Sequence, residues 1–358
     1  MSLRIIQTTQ TASEEINNFL SKNLIGTPQQ SPVYQQLSTR QKLAHIPKAH
    51  FATLWKAEQL LSTCCFCERE AILEEQAIKS YYVRYFSLLD QFRIQRRKTN
   101  TPRSKNSLIK SEIHEMLTGT GLGSVPGESN IFYAYVDPNN ARSALLCEEF
   151  GFQPIRQFTT HIIGRVFPKK RVDFKQVSTK EDHIVIRQLL KKQYADYSFY
   201  TEENLFYQDN YFVIKSQNGE ILAGIQANPE KWKIHSLPGI SGRFLLNFLG
   251  RLPIFRRLIQ ANYAFLAFDY VYAKHGHEDL IIQLIESLLV HFQVYSAMIL
   301  SDDQSPLTSL ISTIDHGLIG QMKKPVSISV IIKDNNLEAS RLKYLKKHPV
   351  FLSSFDTT

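Results

Sequence analysis

Residues 131–152, IFYAYVDPNNARSALLCEEFGF, constrain this chain more than any other stretch. Ile131 to Val136 is an apolar, aromatic run of strand length, and it reads as a buried strand. Asp137-Pro138-Asn139-Asn140 follows. Proline fixes its own φ and can open a helix, and Asp or Asn can cap one. The pattern predicts a helix over Ala141 to Phe150, stopped by Gly151, where a left-handed residue is easiest. A helix advances about 100° per residue, so Asn140, Ser143 and Cys147 share one face. Small polar groups on one face, with Ala141, Leu145 and Leu146 elsewhere, are unusual for a plain core helix.

The rest of the chain sets bounds on this feature. A length of 358 residues suggests two domains or one large one. Hydrophobic residues make up 43%, enough for packed cores and too many for a disordered chain. The formal charge of +9 attracts anions such as nucleic acid, acidic headgroups or phosphate-bearing cofactors, without choosing among them. The four cysteines are Cys64, Cys65, Cys67 and Cys147. None has a partner at zinc spacing, so the reading is free thiols, no metal site and a reducing, cytoplasmic setting. The N-terminus lacks an apolar signal region, and no run of about 20 apolar residues predicts a membrane span.

Periodicity predicts a strand at Leu3–Gln7, a capped helix over Thr11–Leu24, and a loop with a short helix over 25–47. A hairpin of His50–Lys56 and Leu60–Cys67 follows, then a long strand at Tyr81–Ile94, bulged near Ser87. Residues 95–106, QRRKTNTPRSKN, carry five basic residues and no acid, and lead into an amphipathic helix over Ser107–Leu117. A basic loop at a helix start suits phosphate, because free N–H groups and the positive dipole end both point there. Gln153–Val166 reads as two short strands. Residues 172–335 repeat the order more weakly, with an Asn218-Gly219 hairpin turn, a long strand at Tyr263–Tyr272 and a helix over Glu278–Phe292. Residues 336–358 read as a basic tail, helical over Leu337–Lys347. Residues 237–262 mix bulky apolar groups with four arginines. They read as two short helices, with peripheral membrane contact as the alternative.

The 131–152 stretch resembles the last conserved motif of the GCN5-related N-acetyltransferase (GNAT) superfamily, in which a strand feeds a helix of the form N-x-x-[A/S]-x-x-L-Y-x-x-x-G-F. Asn140, Ser143, Leu146, Gly151 and Phe152 match in register, and Cys147 stands at the Tyr position. The element order of residues 1–167 is also the GNAT order. The resemblance implies a mixed α/β (α+β) chain of two tandem GNAT-like domains, 1–167 and 172–335. Each would have its own mixed, mostly antiparallel sheet with a splayed strand and flanking helices, and the second would lack a site of its own.

It also implies a substrate, acetyl-CoA or another acyl-CoA, with an amine as acceptor and nucleic acid disfavoured as a partner. Tyr85 to Leu89 would supply the splayed backbone, with Ser87, Leu88 and Leu89 binding the cofactor. Arg96, Arg97, Arg103, Ser104, Lys105, Asn106 and Ser107 would hold the pyrophosphate, although the family's loop glycines are absent. Asn140 and Ser143 would line the pantetheine arm or cap the helix. Cys147 would take the acid position, with Glu68 and Asp90 as candidate bases. Two alternatives stay open: a non-catalytic ligand-binding protein of the same fold, and an aminoacyl-tRNA-dependent transferase resembling the FemABX type.

Overall fold

The computed structural model describes residues 5–74, 76–88, 108–138, 140–239, 246, 255–258, 260–317, 320 and 326–357. The first half contains β1 (Ile6–Thr9), α1 (Glu14–Ser21), β2 (Val33–Gln36), α2 (Thr39–His45), β3 (Ala49–Lys56), β4 (Gln59–Leu73), β5 (Gln76–Leu88), α3 (Leu108–Met116), β6 (Asn130–Val136), α4 (Ala141–Glu149) and β7 (Gln153–Gly164). The second half contains β8 (Lys175–Gln176), α5 (Lys180–Gln193), β9 (Tyr211–Lys215), β10 (Ile221–Ser236), α6 (Phe255–Leu258), β11 (Asn262–Ala273), α7 (Asp279–His291), β12 (Ser296–Asp302), α8 (Pro306–Ser312) and β13 (Val326–Asn335). Helix α9 (Ala339–Lys347) follows.

Local chemistry accounts for the elements around the defining stretch. The Asn140 side chain accepts the Ser143 N–H at 3.2 Å, satisfying one free donor at the start of α4. At the other end Gly151 takes φ +83°, and two bonds close the turn. Gly151 N–H donates to Glu148 O at 2.9 Å and Phe152 N–H donates to Cys147 O at 3.0 Å, the Schellman pattern. Helix α1 is capped by Ser13, whose hydroxyl accepts from Ile16 N at 3.3 Å, and it buries Ile16 and Leu20.

The strands form one hydrogen-bonded sheet in the order β1-β3-β4-β5-β6-β13-β7-β12-β11-β10-β9-β8, with β2 paired to the far end of β10. This corrects the expectation of two separate sheets. Strand β13 of the second half lies between β6 and β7, and β7 of the first half lies between β13 and β12. The halves have exchanged their last strands. Periodicity reveals a strand but not its partner, so the exchange is invisible in the pattern. Strand β7 is also one long strand, where two short ones were expected, because it has a neighbour along each edge.

Helices cover both faces of the sheet. On one face, here the inner face, α1, α2 and α9 pack over Phe51, Cys65, Cys67, Tyr82, Tyr133 and Phe158. On the outer face of the first half, Met116, Leu117 and Phe150 pack over Phe66, Tyr81 and Phe132. In the second half α7 and α8 bury Leu284, Leu288 and Ile311 against Phe268 and Ile299, and α5 buries Ile186 and Leu190 on the other side.

The C-terminal stretch is not a tail. After α9 the chain enters the core, and Val350, Phe351, Leu352, Phe355 and Asp356 are all buried. The charge of Lys343, Lys346 and Lys347 drew attention away from the apolar Val350-Phe351-Leu352 that follows them.

Candidate functional site

Two gaps in the sheet dominate the molecule's chemistry. Strands β5 and β6 pair in parallel from Lys79↔Asn130 to Tyr82↔Tyr133 and then part. Just beyond, β5 carries a bulge against β4, with the register stepping between Thr63↔Ser87 and Cys65↔Arg84. Tyr85 sits in the bulge at φ +55°, a conformation bulky residues rarely adopt. The second half repeats the device. Strands β11 and β12 pair from Leu266↔Ala297 to Phe268↔Ile299 and part, β11 carries a bulge against β10 where the register steps between Gln226↔Asp269 and Gly224↔Tyr272, and Tyr270 stands in it at φ +48°. A bulge adds twist and bends one strand away from its neighbour, which is what opens a sheet locally.

The two gaps differ in what fills them. The C-terminal segment closes the second from the inner face. Ser198 N–H donates to Pro349 O and Phe351 N–H donates to Ser198 O, both at 2.8 Å. Val350 N–H donates to Asp302, at the end of β12, at 3.0 Å. On β11, Asp269 accepts the Ser354 N–H at 2.5 Å and the Ser354 hydroxyl at 2.9 Å. Burial pushes the Asp269 carboxyl up to about 7, against the lowering effect of those Ser354 bonds. The space left between Phe268, Tyr270, Leu300 and Phe351 is about 20 Å³, room for a single water. At the first gap, no described backbone segment pairs with Val83–Leu88 on the side where β6 has departed.

The inner side of the first gap is floored by rings and buried charge. Tyr135 leans from β6 to Tyr82 on β5, with ring centroids 5.0 Å apart, and meets Phe158 edge-on at 5.1 Å. Tyr133 stacks on Phe199 at 4.3 Å. Beside them Arg69 forks onto Asp356, with Nη1 and Nη2 donating to the two carboxylate oxygens at 2.7 and 2.8 Å. Arg69 Nε also donates to Glu203 at 2.8 Å. Arg84 reaches the same Asp356 at 3.4 Å and lies 4.3 Å over the Tyr85 ring. Tyr82 OH donates to the Asp356 carbonyl at 2.9 Å. Burial holds the phenols of Tyr82, Tyr85, Tyr133 and Tyr135 above their usual range, so they remain neutral donors.

The residues singled out in the sequence fall in three places. Asn140, Ser143 and Cys147 share the half-buried face of α4 on the outer side, as the helix count required. Burial pushes the Cys147 thiol up to about 11. Glu68 lies on the outer face of β4 opposite Tyr81, at the closed end of the first gap. It is engaged there by His50 at 3.2 Å and Lys48 at 3.6 Å. Ser87 and Leu88 end the described part of β5, paired with Thr63 and Ser62. Leu89, Asp90, Arg96, Arg97, Arg103, Ser104, Lys105, Asn106 and Ser107 lie outside the described residues.

The sequence reading missed Arg69, Arg84 and Asp356. One signal was present: Arg69 continues the alternation Cys65, Cys67 on the inward face of an apolar strand, where an unpaired charge would be costly. Within 237–262, Leu246 and Leu258 are buried, Arg257 donates to Val166 O at 3.0 Å, and its guanidinium lies 4.9 Å over the Phe167 ring. Among the described residues no helix is long and apolar enough to cross a membrane, and no group of three or more His, Cys, Asp or Glu side chains is disposed to hold a metal ion.

No protein-family model matches the chain, and no curated protein sequence matches it. Solved structures do. N-myristoyltransferase of Saccharomyces cerevisiae with bound myristoyl-CoA superposes with a TM-score of 0.59 at 10% identity, over 95% of this chain and 86% of that one. A second structure of that enzyme, with bound myristoyl-CoA and inhibitors, gives a TM-score of 0.57 at 10% identity, over 98% and 86%. At such identities the likeness concerns fold alone. The chain has a tandem GNAT fold, with the gap of its second half filled by its own C-terminal segment.

Proposed function

We propose that the protein is an acyl-CoA-dependent N-acyltransferase working at the gap between β5 and β6. The observation that carries this reading is the parting of those strands beyond Tyr82 and Tyr133, with the bulge at Tyr85, in a fold shared with an enzyme solved with myristoyl-CoA bound. Parted strands leave amide N–H groups without a ladder partner, and such a donor can hold a thioester carbonyl and the oxyanion that grows from it. In the transfer the amine nitrogen forms a bond to the carbonyl carbon, the C–S bond breaks, and its electron pair stays on sulfur. The proton lost by the amine balances the thiolate. The acceptor is an amine, the donor a CoA thioester, and the pyrophosphate is held by Arg97, Arg103 and their neighbours ahead of α3.

Titrating the protein with CoA in a calorimeter tests the donor site. Arg97→Ala combined with Arg103→Ala should weaken binding about tenfold or more and make the remainder less sensitive to salt, as loss of two phosphate contacts does. Unchanged affinity at low salt would remove the loop from the site.

Cys147 is read as packing. Its thiol reaches less far than the phenol that the resemblance places there, so Cys147→Ala should leave turnover within about threefold, whereas loss of a general acid costs about a hundredfold. A hundredfold loss in a stably folded Cys147→Ala protein would make it the acid.

One observation favours the non-catalytic alternative. Among the described residues, Asp356 and Glu203 on the inner side of the first gap are both paired with Arg69, so neither is an unpaired base. Acyl-CoA that binds tightly but is never consumed, whatever amine is offered, would select that reading.

A further inference from the structure

We infer that Tyr82 and Tyr135 limit the donor to a short acyl group. The inference rests on the donor site proposed above. Where β5 and β6 part, the inner side of the gap is crossed by these two rings, one from each strand, 5.0 Å apart between centroids. Neither ring is free to swing. Tyr82 is 3% exposed, its hydroxyl is bonded to the Asp356 carbonyl, and the Arg69 guanidinium lies 5.2 Å over its face. Tyr135 is held edge-on by Phe158 from β7 and lies against Tyr133, which stacks on Phe199.

What lies behind Tyr82 is equally unsuited to an alkyl chain, whereas Tyr135 is backed by the rings of Phe158 and Tyr133. Arg69, Arg84 and Asp356 form a buried charged cluster with side chains at most 3% exposed. Driving methylenes into it would separate ions that have no water to replace their partners. An acetyl group ends at the rings, and a longer chain meets them. Tyr135 is the more yielding of the pair, since it is only partly buried and makes ring contacts alone among the interactions described.

The affinity of CoA, acetyl-, butyryl-, hexanoyl- and octanoyl-CoA, measured by calorimetry, tests this. A methylene that enters an apolar site tightens binding about fourfold. The wild-type protein should bind CoA and show no tightening beyond acetyl. Tyr135→Ala should tighten by about fourfold per methylene over the first few carbons, and Tyr135→Phe, which keeps the ring, should stay flat. Steady tightening with chain length in the wild-type protein would overturn the inference while leaving the donor site standing. A Tyr135→Ala protein that binds CoA with an unchanged flat profile would also overturn it. If Tyr135→Ala does not fold, Tyr135→Leu replaces it, and the wild-type profile decides by itself. Failure of the wild-type protein to bind CoA at all would take down the donor site and the inference together.

Discussion

Asp356→Ala is expected to cost about 3–5 kcal/mol of folding stability, the range seen when one partner of a buried ion pair is removed. The side chains of Asp356, Arg69 and Arg84 are 2%, 3% and 0% exposed. Asp356 takes a two-pronged bond from Arg69 and a longer one from Arg84. An arginine cannot shed its charge when its partner goes. The variant therefore strands two guanidinium groups in a dry site, with Glu203 left to offset Arg69 alone. For a fold of ordinary stability, about 5–15 kcal/mol, that is a large fraction. Urea unfolding at unchanged slope measures it through the shift in midpoint. A loss below about 1 kcal/mol would mean the cluster is hydrated or the C-terminal turn is loosely held. The exposed Arg40–Glu14 pair is the control, and Arg40→Ala should leave the midpoint where it was.

The same cluster gives a signed pH dependence. Burial alone would raise the Asp356 carboxyl, but the attraction of Arg69 and Arg84 outweighs it and holds the carboxyl below its ordinary value. A depressed native value means the unfolded chain binds that proton first as pH falls. The stabilisation is therefore fully present above the unfolded value of about 3.9 and is lost as pH drops through the native one. Asp356→Asn should be less stable than wild type at neutral pH and show a shallower decline in acid.

How much of this was legible beforehand depends on the range of the interaction involved. The α4 motif was read residue by residue, because Asn140, Ser143, Cys147 and Gly151 act through neighbours three to five positions away. The splayed strand and a bulge near its end were also expected, although the step falls at Tyr85 rather than Ser87. The Arg69–Asp356 pair spans 287 positions, and no local pattern ties an arginine in a strand to an aspartate near the C-terminus. The filling of the second gap was hidden for the same reason. Lysines made residues 336–358 look like a solvated tail, while Asp269, Asp302 and Ser198, which receive the segment, lie 48 to 153 positions before its anchoring residues. Sequence patterns report which face of an element is apolar, and they do not report which distant element covers it.

The exchanged strands lead to the other large effect: residues 1–167 alone should not fold. Cut there, β6 keeps β5 but loses β13 along its other edge, and β7 loses both neighbours, β13 and β12. Backbone N–H and C=O groups of residues 153–164 would lose their ladder partners and leave an open strand prone to pair with other chains. Phe158 and Ile163 would lose their cover, and Arg156 would lose Asp302, which it holds with Nε at 2.9 Å. Arg69 would lose Asp356 and Glu203 in the same step. We expect residues 1–167 to show no cooperative thermal transition and no near-ultraviolet dichroism. Adding residues 168–358 in equimolar amount should restore both, because the second chain carries β12, β13 and the C-terminal segment. A first half that melts cooperatively by itself would mean β6 and β7 can close on each other without β13, and the strand exchange would then be incidental to stability rather than its basis.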